Sequence, residues 1–320
     1  MGLQKIVCIV AIVLLAHGSV TEAQRTSLKL QQNENASVKQ PLIRPKVLND
    51  SDYQFLVTGG YRPESNHLIK YVVSLRAYKE KSFFGDNHAC GGAIISKRAV
   101  LTAAHCLFND LRKLKASEIV VVAGTPKRLV KTDSTQSMKV KRIRAHPRYK
   151  PLRSHKYDVG IVIMEKDLSI GNTVGTIPIA KEKPEAGLNC TVVGWGTILQ
   201  FGPLPDEALN ADMQIHSERY CKTLEGFKDG MICASNPKNY EVDSCQGDSG
   251  GPLICDEKVY GIVSFGRGCG EPHNAGIYTD VYHYRDWIDK NSCPVAMSLS
   301  LVQLLLIIPF HLVYIALLAM

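Results

Sequence analysis

Charge is missing from one end of this chain: from Pro294 to Met320 there is no Asp, Glu, Lys or Arg. A run of that length either crosses a bilayer or is a tail removed when a lipid anchor is attached. No basic residues follow it to mark a cytoplasmic side. Asn291, Ser292 and Cys293 supply small residues for GPI attachment, although the polar spacer of such signals is nearly absent. Residues 293–320 therefore read as a GPI-anchor signal or a transmembrane segment. Acids are scarce elsewhere: residues 127–156 hold eleven Lys or Arg and only Asp133. That surplus exceeds the +8 of the whole chain, so the positive charge is local. It is either a solvated basic surface or a site for an acidic protein, glycan or lipid headgroup. Helical periodicity is also scarce. Only "DVYHYRDWIDKN", near residue 285, has helical spacing, with Val281, Tyr284, Ile288 and Trp287 on one side. No metal-binding pattern is evident, the loop after "VVAG" lacks the acids that would hold calcium, and no cofactor is implied.

What is present begins with a single lysine, Lys5, then "IVCIVAIVLLA" and the small or polar "HGSVTEA". This is the pattern of a secretory signal peptide over residues 1–23, ending at Ala23. A short membrane anchor is the alternative, but the run is too short to span comfortably. Residues 24–56 are polar, contain two prolines and keep no apolar period, which reads as a pro-segment or linker. From about Val57 short β-branched runs recur between turn residues: "YVVSL", "EIVVVAG", "VGIVIM", "TVVGWGT" and "VYGIVSF". That spacing predicts an all-β barrel or sandwich rather than alternating strands and helices. No internal repeat is visible in the sequence.

Of ten cysteines, Cys8 lies in the signal and Cys293 at the tail junction. Removing both leaves an even set in a secreted chain, which reads as a disulfide framework whose pairing the spacing alone leaves open. Asn35, Asn49 and Asn189 match the glycosylation sequon. A nucleic-acid partner is not expected of a secreted chain.

The stretch "DSCQGDSGGP", residues 243–252, boxes Ser249 between glycines. A serine hydroxyl is a poor nucleophile without a base in hydrogen-bond reach and a third group to fix that base's tautomer. It also needs backbone N–H donors for the oxyanion, and glycines let substrate approach the main chain closely. "GDSGG" also fits the short nucleophile-elbow pattern of α/β-hydrolases, in which the acid and histidine follow the serine in a parallel sheet. Here the texture is all-β and the better partners come first. The candidate base is His105 in "VLTAAHC", and the candidate acid is Asp158 in "KYDVGIVIM". A lone histidine, or an aspartate at the mouth of a strand, is ordinarily structural.

Together, "LTAAHC", "YDVGIVI" and "DSCQGDSGGP", in the order His, Asp, Ser, resemble the trypsin/chymotrypsin-like serine proteases, from about Val57 to Asn291. The resemblance implies an all-β fold of two packed six-stranded antiparallel β-barrels with a C-terminal helix, over residues 57–292. It implies Ser249 as nucleophile, His105 as general base, Asp158 as the orienting acid, and an oxyanion hole from the N–H groups of Gly247 and Ser249. It implies the disulfides Cys90–Cys106, Cys190–Cys255, Cys221–Cys233 and Cys245–Cys269. Asp243 would floor the specificity pocket beside Ser244, with Gly266 and Gly276 as open walls. Ser264 and Gly266 would pair with substrate backbone. The implied activity is cleavage of proteins or peptides after Arg or Lys. Phe265 stands where the family often has tryptophan, and Arg267 follows at the rim.

In this family a new α-amino group pairs with the acid before the serine, here Asp248. The matching start is "VTGG", so Val57 would be released by a cut after Leu56. Family members typically carry Arg or Lys before the cut, so Leu56 is a departure. Three readings stay open: activation by a protease preferring large apolar residues, a largely zymogen-like enzyme cut elsewhere, or a weak or inactive homologue used for binding. An enzyme with Asp243 in its pocket is not expected to cut after Leu56. The expected location is extracellular, either free or tethered through the tail.

Overall fold

The computed structural model describes residues 60–292. The segments 1–23, 24–56 and 293–320, Val57, Asn35, Asn49, Cys8 and Cys293 lie outside the described residues. Among the described residues no helix is long and apolar enough to cross a membrane.

The short β-branched runs form strands. Along the chain these are β1 (Val72–Ala77), β2 (His88–Ile94), β3 (Ala99–Thr102), a small hairpin of β4 (Phe108–Asn109) and β5 (Arg112–Lys113), β6 (Ile119–Ala123), β7 (Gln136–Ala145) and β8 (Gly160–Met164). Strands β1-β2-β3-β8-β7-β6 close one antiparallel barrel. Then come β9 (Asn189–Gly194), β10 (Leu209–Ile215), β11 (Met231–Ser235), β12 (Pro252–Cys255), β13 (Lys258–Phe265) and β14 (Gly276–Asp280). They close a second barrel in the order β10-β11-β14-β13-β12-β9. The two six-stranded barrels expected from the resemblance are therefore present.

Side-chain alternation explains why these strands read as unbroken apolar runs. Val73 and Leu75 of β1, Val100 of β3 and Val162 and Met164 of β8 fill the first barrel. Their neighbours Val72, Leu101, Ile161 and Ile163 face the other way, into a cluster shared with Val193, Ile254 and Ile262 of the second barrel. Cys190, Val192, Leu253 and Tyr260 fill the second barrel. Both faces of each central strand are covered, so hydrophobicity cannot alternate with polarity.

Two α-helices are present among the described residues. The first, α1 (Glu218–Cys221), is one turn whose N-cap Ser217 accepts from the N–H of Tyr220. The second, α2 (Arg285–Ser292), is the expected C-terminal helix. Val281 and Tyr284 precede its first residue but pack with Ile288 into the shared cluster, with Trp287 against it. The apolar face is thus as expected, and the helix is shorter than its pattern. The disulfides Cys90–Cys106, Cys190–Cys255, Cys221–Cys233 and Cys245–Cys269 are all formed. Each contributes about 2–4 kcal/mol.

Candidate active site

His105 opens a 3₁₀ turn shortly after β3, reached through the fully buried Ala103 and Ala104. The Cys90–Cys106 bridge ties that turn to β2. Asp158 precedes β8 and is fully buried. The residue before it, Tyr157, has φ 65°, a left-handed conformation that costs a bulky residue roughly 1–3 kcal/mol. Packing holds it there: the Tyr157 ring stacks on His146 at 4.9 Å, and Arg148 lies 4.5 Å from its centroid.

Asp158 accepts three hydrogen bonds. The His105 backbone N–H donates to Oδ1 at 2.8 Å, His105 Nδ1 lies 2.7 Å from Oδ2, and the Ser264 hydroxyl donates to Oδ2 at 2.6 Å. The Thr279 hydroxyl donates to the Asp158 carbonyl at 2.7 Å. A carboxylate only accepts, so Nδ1 carries the proton and Nε2 keeps its lone pair. Burial pulls the imidazole down, but the Asp158 charge and hydrogen bond more than reverse this and hold His105 above its ordinary value. Burial pushes Asp158 up, and His105, Ser264 and the backbone N–H outweigh it, leaving the carboxyl below the usual range.

Ser249 sits on a tight turn bridging the barrels. Its carbonyl accepts from the N–H of Gly91 on β2 at 2.8 Å and lies 3.5 Å from Cys106 Sγ, the neighbour of His105. Gly250 has φ 78°, and a Cβ there would overlap Thr102 Oγ1. The turn therefore seats against β3 only with glycine. Among the described residues the N–H groups of Gly247 and Ser249 have no protein acceptor, so neither is tied up within the protein.

A cleft of about 230 Å³ is lined by Ser249, Ser244, Val263, Ser264, Gly266 and Asp243 among others. The Asp243 carboxylate accepts from the N–H groups of Ser244 at 2.8 Å and Gly270 at 3.1 Å. Burial, helped by the Asp248 charge, nonetheless pushes its pKa up to about 6. A Cβ on Gly276 would stand 3.1 Å from Asp243 Oδ1, so that wall must stay bare for anything to reach the acid. Phe265 is covered by His155, whose ring stacks on it at 4.1 Å. The Arg267 carbonyl accepts from Asn274 Nδ2. A larger cavity of about 440 Å³, lined by Lys183, Glu218, Phe227 and Tyr282 among others, holds none of the catalytic candidates.

Asp248 accepts from the N–H groups of Gly196 at 2.7 Å and Cys245 at 3.0 Å. Burial still pushes its pKa up to about 6. Gly194 and Gly196 cradle it, since a Cβ on either would overlap its carboxylate oxygens. Among the described residues the group with metal-ligand spacing is Cys90, His105 and Cys106. Its sulfurs are joined to each other and are not thiolate ligands.

The structure joins His105 to Asp158 directly and brings the Ser249 main chain to Cys106, the neighbour of His105, with no hydrogen bond between His105 and Ser249 among the described residues. Ser249 shares its cleft with Asp243, Ser244, Ser264, Gly266 and Gly276. Three features were not read from the sequence. The Ser264 hydroxyl is engaged by Asp158, at a strand irregularity between Val263 and Phe265 that turns it inward. His155 covers Phe265. The glycines of "VVGWGT" serve Asp248, and a glycine pair inside a strand pattern is the signal that marks such a close approach.

Known proteins resemble this chain in sequence and in fold. The family model described as Trypsin matches residues 57–288. Trypsin epsilon of Drosophila erecta is 37% identical over 243 residues, 74% of this chain and 87% of that one. Trypsin-3 of Homo sapiens is 34% identical over 236 residues, 72% and 71% of the two chains. The solved structure of neuropsin, described as a serine protease expressed in the limbic system of mouse brain, superposes with a TM-score of 0.61 at 30% identity, covering 70% of this chain and 95% of that one.

Proposed function

The chain belongs to the trypsin family and is a trypsin-like serine endopeptidase, and on that premise we propose that Ser249, His105 and Asp158 carry its chemistry, with cleavage after Arg or Lys. Ser249 Oγ attacks the scissile carbonyl carbon while its proton passes to His105 Nε2. The carbonyl oxygen takes the negative charge and receives the N–H groups of Gly247 and Ser249, each worth roughly 3–4 kcal/mol in the transition state. The C–N bond then breaks and His105 gives its proton to the leaving amine. Water attacks the resulting ester by the same route, delivering its proton to His105, and Ser249 leaves with a proton returned. Asp158 holds the tautomer and stabilises the imidazolium throughout.

The observation that carries the substrate reading is the buried carboxylate of Asp243 lining the same cleft as Ser249. A secluded carboxylate without a cation is poorly stabilised, and the side chain of a substrate Arg or Lys supplies that cation. A peptide-library cleavage profile tests this, together with labelling of Ser249 by an active-site phosphonate. A profile without Arg or Lys before the cut overturns the specificity, and no labelling of correctly cut protein overturns the catalytic assignment.

The enzyme is read as an extracellular zymogen. Four disulfides suit an oxidising compartment. Asp248 is a buried acid poised to receive the α-amino group of Val57 after a cut behind Leu56, made by a protease that prefers large apolar residues. The tail at 293–320 tethers it to the membrane, and release by a GPI-specific phospholipase distinguishes an anchor from a span. The basic segment offers a face to an acidic partner: a register shift on β7 between Val140 and Arg142 leaves Lys141 and Arg142 both outward, beside exposed Lys139.

A further inference from the structure

One arginine of that basic segment is not on the surface. Arg128, in the loop after β6, is 8% exposed, and Arg76 of β1 is 2% exposed. Among the described residues neither guanidinium has a carboxylate within ion-pairing distance. Buried cations ordinarily find an acid. Arg76 Nη1 has no hydrogen-bond partner among the described residues, and the Arg76 guanidinium lies 4.5 Å from the centre of the Phe84 ring. Other groups meet most of the N–H donors of the two arginines.

Arg128 meets them with backbone carbonyls. Nε donates to Pro205 O at 2.7 Å, Nη1 to Gly85 O at 2.9 Å and Nη2 to Leu204 O at 3.1 Å. Its own backbone N–H donates to Asp206 O at 2.7 Å. One side chain thus ties the turn at Gly85 to the segment 204–206. Gly85 has φ 89°, and a Cβ on it would overlap the Arg128 carbonyl. Leu204, held by its carbonyl, places Cδ2 only 2.9 Å from where a Cβ on Gly247 would stand.

Arg76 reaches the same residue from the other side. Its Nη2 donates to Arg128 O at 2.9 Å and its Nε to Ser74 Oγ at 2.9 Å. Ser74 Oγ lies 2.7 Å from His88 Nδ1, and His88 Nε2 lies 3.0 Å from Gly247 O. The directions are determined. Gly247 O only accepts, so Nε2 carries the proton. Nδ1 must then accept from the Ser74 hydroxyl, whose oxygen accepts from Arg76. Burial first, then the charges of Arg76 and Arg128, hold the His88 pKa down to about 4, so the ring stays neutral in this role. Hydrogen bonds thus link Arg128, Arg76, Ser74, His88 and Gly247 in one chain, and Leu204, whose carbonyl Arg128 holds, has its side chain beside the Cα of Gly247.

We propose that Arg128 and Arg76 are positioning residues for the oxyanion hole, holding Gly247 from two sides so that its N–H faces the cleft. Hydrogen bonds from a charged donor are stronger than neutral ones and polarise the next bond in the chain. A buried guanidinium suits this task because it braces several carbonyls at once in a rigid plane. The inference rests on the reading of Gly247 as an oxyanion donor.

The test compares active wild type with Arg128→Met and Arg128→Lys, using two inhibitors. An arginine peptide aldehyde forms a tetrahedral adduct on Ser249 and uses the hole, whereas benzamidine occupies only the pocket over Asp243. For Arg128→Met we expect kcat and aldehyde affinity to fall together by at least about tenfold, with benzamidine affinity kept within about twofold. Arg128→Lys, which keeps the charge but not the planar fork, should recover only part of the loss. Unchanged kcat and aldehyde affinity overturn the proposal, as does an equal loss of both inhibitors, which would mean general loosening. Ser74→Ala breaks the second arm while leaving the Arg128 contacts in place, at the cost of the Arg76 Nε acceptor, and reads the same split if Arg128 variants do not accumulate. Wild type separates the underlying reading: if it binds the aldehyde no better than the matching alcohol, the oxyanion assignment itself fails. If wild type shows that preference and the variants keep it, only the role of the arginines fails.

Discussion

The main-chain N–H of Gly196 donates to Asp248 at 2.7 Å, and a side chain on Gly196 would overlap the other oxygen of the same carboxylate. Donor and missing Cβ serve one acid that lies far along the chain, next to the nucleophile. Asp248 in turn sits between Gly247 and Ser249, so any displacement of its carboxylate moves both N–H groups at the cleft.

Gly196→Ala should therefore impair catalysis without touching His105 or Asp158. Losing one buried hydrogen bond to a carboxylate is worth about 1–3 kcal/mol. The expected result is a fall in kcat of about 10- to 100-fold in the active enzyme. Steady-state kinetics on an Arg substrate checks it, and unchanged kcat would mean that Asp248 tolerates the methyl group.

Asp248 also sets a pH dependence of stability in the uncut chain. Its folded pKa is raised to about 6 by burial, above the value of about 3.9 for an unfolded aspartate. Between those values the folded state binds more protons, so this group's contribution is present below about pH 4 and is lost as pH rises through 6. His88, held down to about 4, works in the opposite direction over nearly the same window, and Asp243, raised to about 6 in part by the Asp248 charge, works in the same direction. The Asp248 contribution is therefore read as a difference. Uncut Asp248→Asn should gain stability relative to uncut wild type as pH rises from about 4 to 6, by about 3 kcal/mol, whatever constant penalty the amide carries. Denaturant unfolding across that range measures it, and a flat difference would refute it.

Asp243 gives a second pH signature, in binding. A cationic inhibitor such as benzamidine needs the carboxylate, and the free site holds its pKa at about 6. Affinity should rise by about tenfold per pH unit below 6 and level off above about 7. Asp243→Asn should bind weakly and with no such slope. Inhibition constants between pH 5 and 8 provide the measurement.

Self-activation should not occur. The proposed preference of the Asp243-lined cleft is for a cation, and the expected cut follows Leu56. Wild-type and Ser249→Ala zymogens incubated alone should both keep their original N-termini. A Val57 N-terminus that appears in the wild type only would contradict the specificity reading, the cleavage site or both.

Much of this protein is decided locally. Short β-branched runs at regular spacing specify barrels rather than bundles, because a strand covered on both faces has to be apolar throughout. "LTAAHC", "YDVGIVI" and "DSCQGDSGGP" name the three catalytic candidates, since each side chain needs a particular turn, burial or glycine next to it. The four disulfides also formed as the resemblance implied.

What tertiary structure alone decided is which residues meet across the barrels. The glycines of "VVGWGT" mark a close approach but do not say that Asp248 is what approaches, and nothing in "VVSLRA" says that its arginine points along a relay to Gly247. Asp256 and Glu257, both with positive φ, make the tight turn between β12 and β13 without the asparagine or glycine that announces such turns. A sequence pattern reports how one segment is buried. It does not report what lies opposite, and the charges of Arg76, Arg128 and Asp248 are tolerated inside only because of the carbonyls and N–H groups that folding sets against them.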